Sequence, residues 1–393
     1  MAHQILMLGG RRSGKSSILA SIVHALGQNS ELFSITDQTD YSIKNGLGIS
    51  LKAKRVEIDN YLKERKNVNR NSHFLVDMTP TKGKKVYNLE TQIKGKCKVR
   101  FDFVDVQGES MEVTSDYHNE VKDLVTKSDV FIVAIDTPFL MQDINDNINT
   151  VWNRTGEITD LLANIKIEDE KIDKKLIILC PVKCERWTQS GHADAVTKRV
   201  CETYKNMINN WVTHPAVDIW VMPIETAGGI VHSKLLDGYR IFRGKDDRTG
   251  VLCSKNDLTG QIMLGNGEIV SSSYEFTIED KPDSSLMFDF TQIPLSWYKV
   301  NGRGFTPARC EQPAYHIFRF LVKKEEEAVL VEQRAVETAP WWKRWWKKLW
   351  SPPFGSYLAT YSDLINKMED KHLIKTSGDG FLKIESIISD IQL

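Results

Sequence analysis

An apolar run followed at once by a glycine-rich turn opens the chain. Residues 5–8 are apolar, and Gly-Gly-Arg-Arg-Ser-Gly-Lys-Ser follows from Gly9 to Ser16. This is the spacing GxxxxGK[ST], and the amphipathic stretch 17–27 predicts a helix directly after it. When a buried strand leads through a tight turn into a helix, the backbone N–H groups of the turn point toward the helix N-terminus. The helix dipole favours an anion there. The sequence therefore predicts a P-loop, a phosphate-binding site on an α/β sheet.

Each side chain of this loop has an expected role. Lys15 is expected to reach the β- and γ-phosphates of a nucleotide, and the Ser16 hydroxyl to ligate Mg²⁺. Further nucleotide contacts are expected from Gly9, Arg11, Arg12, Ser13, Gly14 and Ser17.

The composition excludes several other classes of protein. The 52 basic residues balance the 52 acidic ones, so no global field attracts nucleic acid, and no nucleic-acid partner is expected. The P-loop begins within the first ten residues and six cysteines are scattered through the chain. We therefore expect no secretory segment, reduced thiols and a cytoplasmic location. Cys180 and Cys184 lack neighbours at metal-ligand spacing, so no zinc site is expected.

Strand and helix signals alternate over residues 1–229. This pattern predicts an α/β, P-loop NTPase fold with a mostly parallel sheet and helices on both faces. The predicted strands are 5–8, 98–104, 130–136, 176–180 and 218–223. The predicted helices are 17–27, 51–64, 117–126, 159–165 and 194–212.

The remaining chain predicts three additions to this core. A long insertion at 29–82 interrupts the core itself, and short alternating runs with turn signals such as Asn266-Gly267 predict a β-rich insertion at 230–304. Residues 305–335 are expected to return to the core as a closing helix. Residues 336–393 form a tail of different composition.

Three further motifs follow the P-loop in order. Asp105-Val-Gln-Gly108 fits the DxxG motif at the end of a predicted strand. An ordinary turn with Asp and Gly has the same sequence pattern and remains the alternative. Cys180-Pro-Val-Lys-Cys-Glu185 resembles the base-reading NKxD motif, with Val and Glu in place of Asn and Asp. The Lys183 stem can cover a base face, and the Glu185 carboxylate can accept from guanine N1–H and the 2-amino group, which adenine lacks.

The fourth motif is the short loop Glu225-Thr226-Ala227-Gly228, which resembles the loop whose backbone contacts the guanine oxygen. Together the four motifs resemble the Ras-like (TRAFAC) P-loop GTPases across about residues 1–230. The resemblance implies a switch that binds GTP and GDP with Mg²⁺ and hydrolyses GTP, with Thr226 and Ala227 at the base.

The same resemblance assigns roles near the γ-phosphate. Asp105 and a switch threonine would complete the Mg²⁺ shell, and the Gly108 N–H would meet the γ-phosphate. Thr81 fits the switch position better than Thr79, but both remain candidates, and so does a plain turn. Glu109 stands where Ras-like enzymes carry the glutamine that orients water. It could act as a base or repel the γ-phosphate, and turnover could be slow and dependent on assembly.

Two narrower likenesses suggest partners. The long insertion, the Lys-Cys-Glu motif and Cys310-Glu-Gln-Pro313 resemble bacterial double-GTPase families of anti-phage conflict systems. Since this chain has one motif set, that likeness implies a companion protein. The P-loop with Arg12 also resembles that of guanylate-binding proteins and atlastins, in which this arginine is an internal finger once two GTPase domains meet. A nucleotide-dependent homodimer is implied, with Arg11 as the rival finger and solvent-facing arginines as the alternative.

The tail contains a tryptophan-rich, basic segment. In 341–350 the tryptophans and Leu349 fall on one half of a helix, and the lysines and arginine fall on the other. Such a helix can pack on its own domain, dock in a partner's groove, or lie in a membrane surface.

Two other functions compete with a GTPase switch. A P-loop kinase or ATPase would use a different base reader and make Asp105 a catalytic or Walker-B carboxylate. A scaffold would hold nucleotide for structure and act through the tryptophan-rich tail.

Overall fold

A computed structural model of the protein describes most of the chain. The described residues are 2–27, 33–37, 39, 51–65, 74–75, 84–93, 97–142, 147–168, 170, 173–241, 251–255, 262–264, 269–270, 293–337, 362–363, 365–367, 369–370 and 374–387. Two compact units divide the chain: Met1–Val56, Pro80–Thr226 and Pro307–Leu393 form the first, and Glu57–Thr79 with Ala227–Thr306 form the second.

The regular elements are numbered in chain order. The strands are β1 Ala2–Leu8, β2 Phe33–Asp37, β3 Phe74–Leu75, β4 Lys85–Ile93, β5 Cys97–Asp105, β6 Val130–Asp136, β7 Lys175–Val182, β8 Val217–Val221, β9 Gly228–Ile241, β10 Val251–Lys255, β11 Ile262–Leu264, β12 Ile269–Val270, β13 Ile293–Phe305, β14 Ser377–Gly378 and β15 Phe381–Ile384. The helices are α1 Lys15–Gly27, α2 Leu51–Arg65, α3 His118–Lys127, α4 Thr137–Leu140, α5 Asn147–Asn153, α6 Thr155–Leu162, α7 Glu185–Thr188, α8 Ala193–Thr203, α9 Lys205–Trp211 and α10 Glu311–Glu337. A 3₁₀ turn spans Gly108–Met111.

The first unit contains a nine-stranded sheet in the order β14-β15-β8-β7-β6-β1-β5-β4-β2. Its five central strands, β8 to β5 in this order, pair in parallel. The strands β4 and β2 on one side, and β15 and β14 on the other, pair antiparallel. The predicted α/β class with a mostly parallel sheet is therefore confirmed.

Helices cover both faces of this sheet. Ile5 and Met7 of β1 pack in a core cluster with residues of α1 and α10. Leu6 and Leu8 point to the other face, where α3, α6, α8 and α9 pack. Because both faces are covered, β6 and β7 are buried at every residue, which explains their continuous apolar sequences.

The strand predicted at 130–136 is found with the same bounds, and the other predicted elements of this unit have shifted ends. The helix predicted at 194–212 is two helices, because the backbone leaves helical geometry at Tyr204 (φ −99°, ψ 17°). The helix predicted at 159–165 begins earlier, since Arg154 takes a left-handed conformation and starts α6 at Thr155. The strand predicted at 218–223 ends at Val221.

The second unit contains a six-stranded sheet in the order β12-β11-β10-β9-β13-β3. Its core includes Ile58 and Leu62 from α2, Ile230 from β9 and Tyr298 from β13. The chain enters this unit twice, since β3 comes from the insertion at 29–82 and pairs antiparallel with β13.

Several sequence predictions lie outside the described residues. These are the switch candidates Thr79 and Thr81, the turn at Asn266-Gly267 and the tryptophan-rich segment 341–350. Across the residues that are described, no helix is both long enough and apolar enough to cross a membrane.

Candidate functional site

The P-loop has the strand–turn–helix geometry that its sequence predicts. β1 ends at Leu8, α1 begins at Lys15, and the turn between them uses positive φ angles at Gly9 (150°), Arg12 (59°) and Gly14 (100°). A Cβ at Gly9 would lie 2.6 Å from the Ala134 carbonyl oxygen, so the turn packs directly on β6. The result is a backbone loop that leads into the positive end of a helix dipole, where an anion is favoured.

Lys15 folds back on this loop. Its Nζ donates to the carbonyl oxygens of Gly9, at 2.8 Å, and Gly10, at 3.1 Å. Burial lowers the pKa of the Lys15 ammonium, whereas the nearby carboxylates of Asp105 and Glu109 act in the opposite direction. A buried ammonium group that donates to neutral carbonyls can exchange them for phosphate oxygens.

The P-loop and the DxxG motif are joined by a hydrogen bond. Ser16 Oγ donates to Asp105 Oδ2 at 2.8 Å, and Asp105 is fully buried at the end of β5. β5 is the parallel neighbour of β1, with Asp105 in register with Met7, so the fold itself sets this distance. A hydroxyl and a carboxylate side by side are oxygen ligands of the kind that Mg²⁺ uses together with substrate phosphates. The described residues contain no cluster of three or more His, Cys, Asp or Glu that could hold a metal on its own.

The glycine of the DxxG motif lies against the P-loop backbone. A Cβ at Gly108 would be 2.4 Å from the Arg11 nitrogen and 2.7 Å from the Gly10 carbonyl carbon. The next residue, Glu109, forms an ion pair with Arg11, with 3.2 Å between Oε1 and Nε. The two loops predicted to sense a γ-phosphate therefore touch each other at both backbone and side-chain level.

Lys183 connects the base-reading motif to the P-loop. Its backbone is left-handed (φ 59°), and its Nζ donates to the Arg12 carbonyl oxygen at 3.1 Å. The same Nζ forms an ion pair with Asp136 Oδ2 at the end of β6. Burial raises the pKa of the Asp136 carboxyl, although the Lys183 charge acts to lower it. Asn153 holds the Asp136 backbone in place, accepting from its N–H at 2.7 Å and donating to its carbonyl at 3.2 Å.

The predicted base-reading carboxylate lies at the start of α7. Glu185 is 2% exposed and is the first residue of this helix. Thr188, the last residue of α7, and Gln189, which follows it, each donate to the Glu225 carboxylate at 2.8 Å. These two hydrogen bonds connect the end of α7 to the loop after β8, which contains the fourth motif.

That loop has three further attachments in the first unit. Ser21 Oγ on α1 donates to the Thr226 carbonyl oxygen at 2.7 Å, and Cys310 Sγ donates to the Glu225 carbonyl oxygen at 3.0 Å. Glu225 also forms an isolated bridge with Ala308. Burial raises the pKa of the Cys310 thiol, and the charges of Glu185 and Glu225 add to this effect. Cys310 is thus a neutral hydrogen-bond donor that joins the residue before α10 to the fourth motif.

The structure brings most of the predicted site residues together. The P-loop residues from Gly9 to Ser17, the DxxG residues Asp105, Gly108 and Glu109, and Lys183 are linked by the contacts above. Glu185 and Thr226 belong to the same unit, whereas Ala227 is the first residue of the second unit's later segment.

Sequence reasoning missed several residues of this site. Asp136, Asn153 and Ser21 each hold one of the predicted residues or its loop, and Glu225, predicted only as the first residue of the fourth motif, holds α7. Asp136 had a usable signal, since it ends an apolar strand and the carboxyl ends of parallel strands meet at one edge of the sheet. Asn153 and Ser21 contact residues that are distant in sequence, and no local pattern marks them.

No protein-family model matches the chain, and no curated protein matches it. Among solved structures, the chain is similar to the Saccharomyces cerevisiae Ski7 GTPase-like domain bound to GDP and inorganic phosphate. The sequence identity is 11%, and the TM-score is 0.33. The match covers 77% of this chain and 71% of that chain. The same domain bound to GTP matches with 12% identity, coverage of 78% and 72%, and a TM-score of 0.32. At this level of likeness the comparison identifies no activity.

Proposed function

We propose that this protein is a GTP-binding, GTP-hydrolysing switch that uses Mg²⁺ and controls a partner protein. The observation that carries the proposal is the hydrogen bond from Ser16 to Asp105. It joins a P-loop to a DxxG motif at the carboxyl ends of two parallel strands, where α/β proteins bind their ligands. Lys183, which contacts the P-loop from the base-reading motif, supports a nucleotide in this position.

The residues divide the chemistry among them. Lys15 would move from the Gly9 and Gly10 carbonyls to the β- and γ-phosphates. Mg²⁺, held through Ser16 and Asp105, would supply charge neutralisation at those phosphates. In hydrolysis a water oxygen bonds to the γ-phosphorus while the bond to the β–γ bridging oxygen breaks, giving GDP and inorganic phosphate.

Arginine and glutamate side chains from the two touching loops would act on this step. Arg12 would stabilise the charge that develops on the bridging oxygen, with Arg11 as the rival. Glu109 would orient or deprotonate the attacking water once its pairing with Arg11 opens. Lys183 and Glu185 would contact the base, with the carboxylate selecting guanine.

Control of a partner would follow from a change in the conformation of the P-loop and the loop after β5. A γ-phosphate would separate Gly108 and Glu109 from Arg11, and this rearrangement would be read by a companion protein. A nucleotide-dependent homodimer, a membrane surface contacted by 341–350 and a role in bacterial anti-phage defence are further proposals, and these rest on the sequence alone.

Phosphate release under single-turnover conditions tests the catalytic part. Arg12→Ala is expected to reduce GTP turnover at least about tenfold while GDP affinity changes less than about twofold, because the arginine would act mainly in the transition state. Arg11→Ala is the matched control in the neighbouring position. Unchanged turnover in Arg12→Ala would show that Arg12 does not stabilise the transition state. A loss of turnover confined to Arg11→Ala would assign that role to Arg11.

A further inference from the structure

A lysine that belongs to none of the nucleotide motifs lies beside Asp105. β4 pairs antiparallel with β5, and Lys85 is the residue in direct register with Asp105. Side chains of directly opposed residues share one face of the sheet, with Cβ atoms about 5 Å apart. Since Asp105 contacts Ser16 at the start of α1, Lys85 stands next to the phosphate end of the site.

The Lys85 side chain is described by its exposure and by the contacts around it. It is half-buried, and the ion pairs and hydrogen bonds found among the described residues do not include its ammonium group. Its neighbour Lys84 is exposed and already forms an ion pair with Glu120 of α3. The flexible four-carbon stem of a lysine allows its ammonium group to move toward a charge that arrives beside Asp105.

The electrostatics around Asp105 favour an added anion. Burial lowers the pKa of Lys85, the Asp105 carboxylate opposes this, and the charge of Lys54 lowers the pKa further. Lys54 lies on α2 and is only 6% exposed. Two lysine ammonium groups beside one buried carboxylate are stabilised by additional negative charge, such as that of a phosphate.

We propose that Lys85 is a phosphate-binding residue of this site, whose ammonium group pairs with the terminal phosphate of a bound nucleoside triphosphate. The inference depends on the proposed nucleotide-binding function, and it adds a contact that no sequence motif predicts. The terminal phosphate is the partner because Asp105 and Gly108 bring the loop after β5 to that end of the P-loop. A lysine that only neutralised Asp105 would act equally on diphosphate and triphosphate.

Equilibrium binding of GTP and GDP in excess Mg²⁺ tests the assignment. Lys85→Gln is expected to weaken GTP binding about tenfold and GDP binding less than about twofold, since a charge-assisted contact to the γ-phosphate is lost. Lys85→Arg should retain most of the GTP affinity. Lys84→Gln removes the same charge one residue away and should leave both affinities unchanged.

The result that would overturn the inference is an unchanged GTP-to-GDP affinity ratio in Lys85→Gln. If Lys85→Gln lowers the unfolding midpoint, Lys85→Met keeps the apolar stem without the charge and is measured in its place with the same criterion. A wild-type protein that binds neither GTP nor GDP would contradict the proposed function instead, so the two failures are distinguishable.

Discussion

Arg11 and Glu109 form an ion pair that joins the P-loop to the loop after β5, with 3.2 Å between Arg11 Nε and Glu109 Oε1. Both side chains are partly exposed, at 45% and 32%, so the pair contributes less than about 1 kcal/mol to folding. Its importance lies in its position. In the proposed function, the same two side chains act on the γ-phosphate and on the attacking water, and the ion pair holds them together.

Replacing the carboxylate should therefore change binding more than stability. Glu109→Gln is expected to raise GTP affinity about threefold to fivefold, because it removes a negative charge beside the γ-phosphate and frees Arg11. GDP affinity and the unfolding midpoint should stay nearly constant. Competition binding measures the two affinities, and a weaker GTP complex would show that Glu109 assists nucleotide binding.

The close approach of Gly108 to the P-loop gives a second prediction. Gly108→Ala places a Cβ 2.4 Å from the Arg11 nitrogen, and backbone on both sides must shift. We expect a loss of about 1–3 kcal/mol in the free energy of unfolding, measured by denaturant titration. Gly156→Ala is the matched control, since a Cβ there meets nothing within 4 Å and should be neutral or slightly stabilising.

The ion pair between Lys183 and Asp136 gives a third prediction. Lys183→Ala leaves the nearly buried Asp136 carboxylate without its counter-ion, which should cost about 3 kcal/mol of stability. The double variant Asp136→Asn with Lys183→Ala removes both charges and should be more stable than Lys183→Ala alone. A double-mutant cycle measures the coupling, and additive effects would mean that the pair contributes no interaction energy.

These contacts illustrate what the sequence could and could not predict. The P-loop, α1 and the DxxG strand were predictable because an apolar run, fixed glycines and a helical period are all local signals. The pairing of Lys183 with Asp136 was not, because it depends on the parallel register of β6 and β7, which places Asp136 opposite Val182. The same holds for β15, a short segment that pairs antiparallel with β8 far earlier in the chain.

The break between α8 and α9 has a different cause. In residues 194–212 the apolar side chains recur at helical spacing along the whole segment. This periodicity favours one continuous helix. Tyr204 is fully packed in the core and leaves helical geometry, so tertiary packing overrides the local preference there. The role of Cys310 was also hidden, because a buried thiol that donates to a distant carbonyl has no signature in the sequence.

The stability of the first unit should depend on pH through His316. Burial of its ring lowers the pKa of His316 to about 4, while its Nε2 donates to the Lys375 carbonyl oxygen at 2.9 Å. In the unfolded chain this pKa returns to about 6.5, so between these values the unfolded state binds more protons than the folded state. Stability should therefore fall by about 3 kcal/mol as the pH drops from about 6.5 to about 4.

Unfolding midpoints across this pH window provide the check. His316→Gln keeps a donor and removes the titration, so its midpoint should fall less steeply on acidification than that of the wild type. His192→Gln, at an exposed position, should follow the wild-type curve. Parallel curves for His316→Gln and the wild type would contradict the prediction.

Mg²⁺-dependent displacement of a fluorescent guanine nucleotide by GTP, GDP and ATP, measured in the wild type and in Glu185→Gln, tests whether this site binds guanine nucleotides selectively. A Glu185 carboxylate that reads guanine predicts that GTP and GDP compete at least about a hundredfold better than ATP, and that this preference is largely lost in the variant. Equal or better displacement by ATP would contradict guanine selection by Glu185, and the protein would then be a P-loop ATPase or kinase and not a GTPase switch.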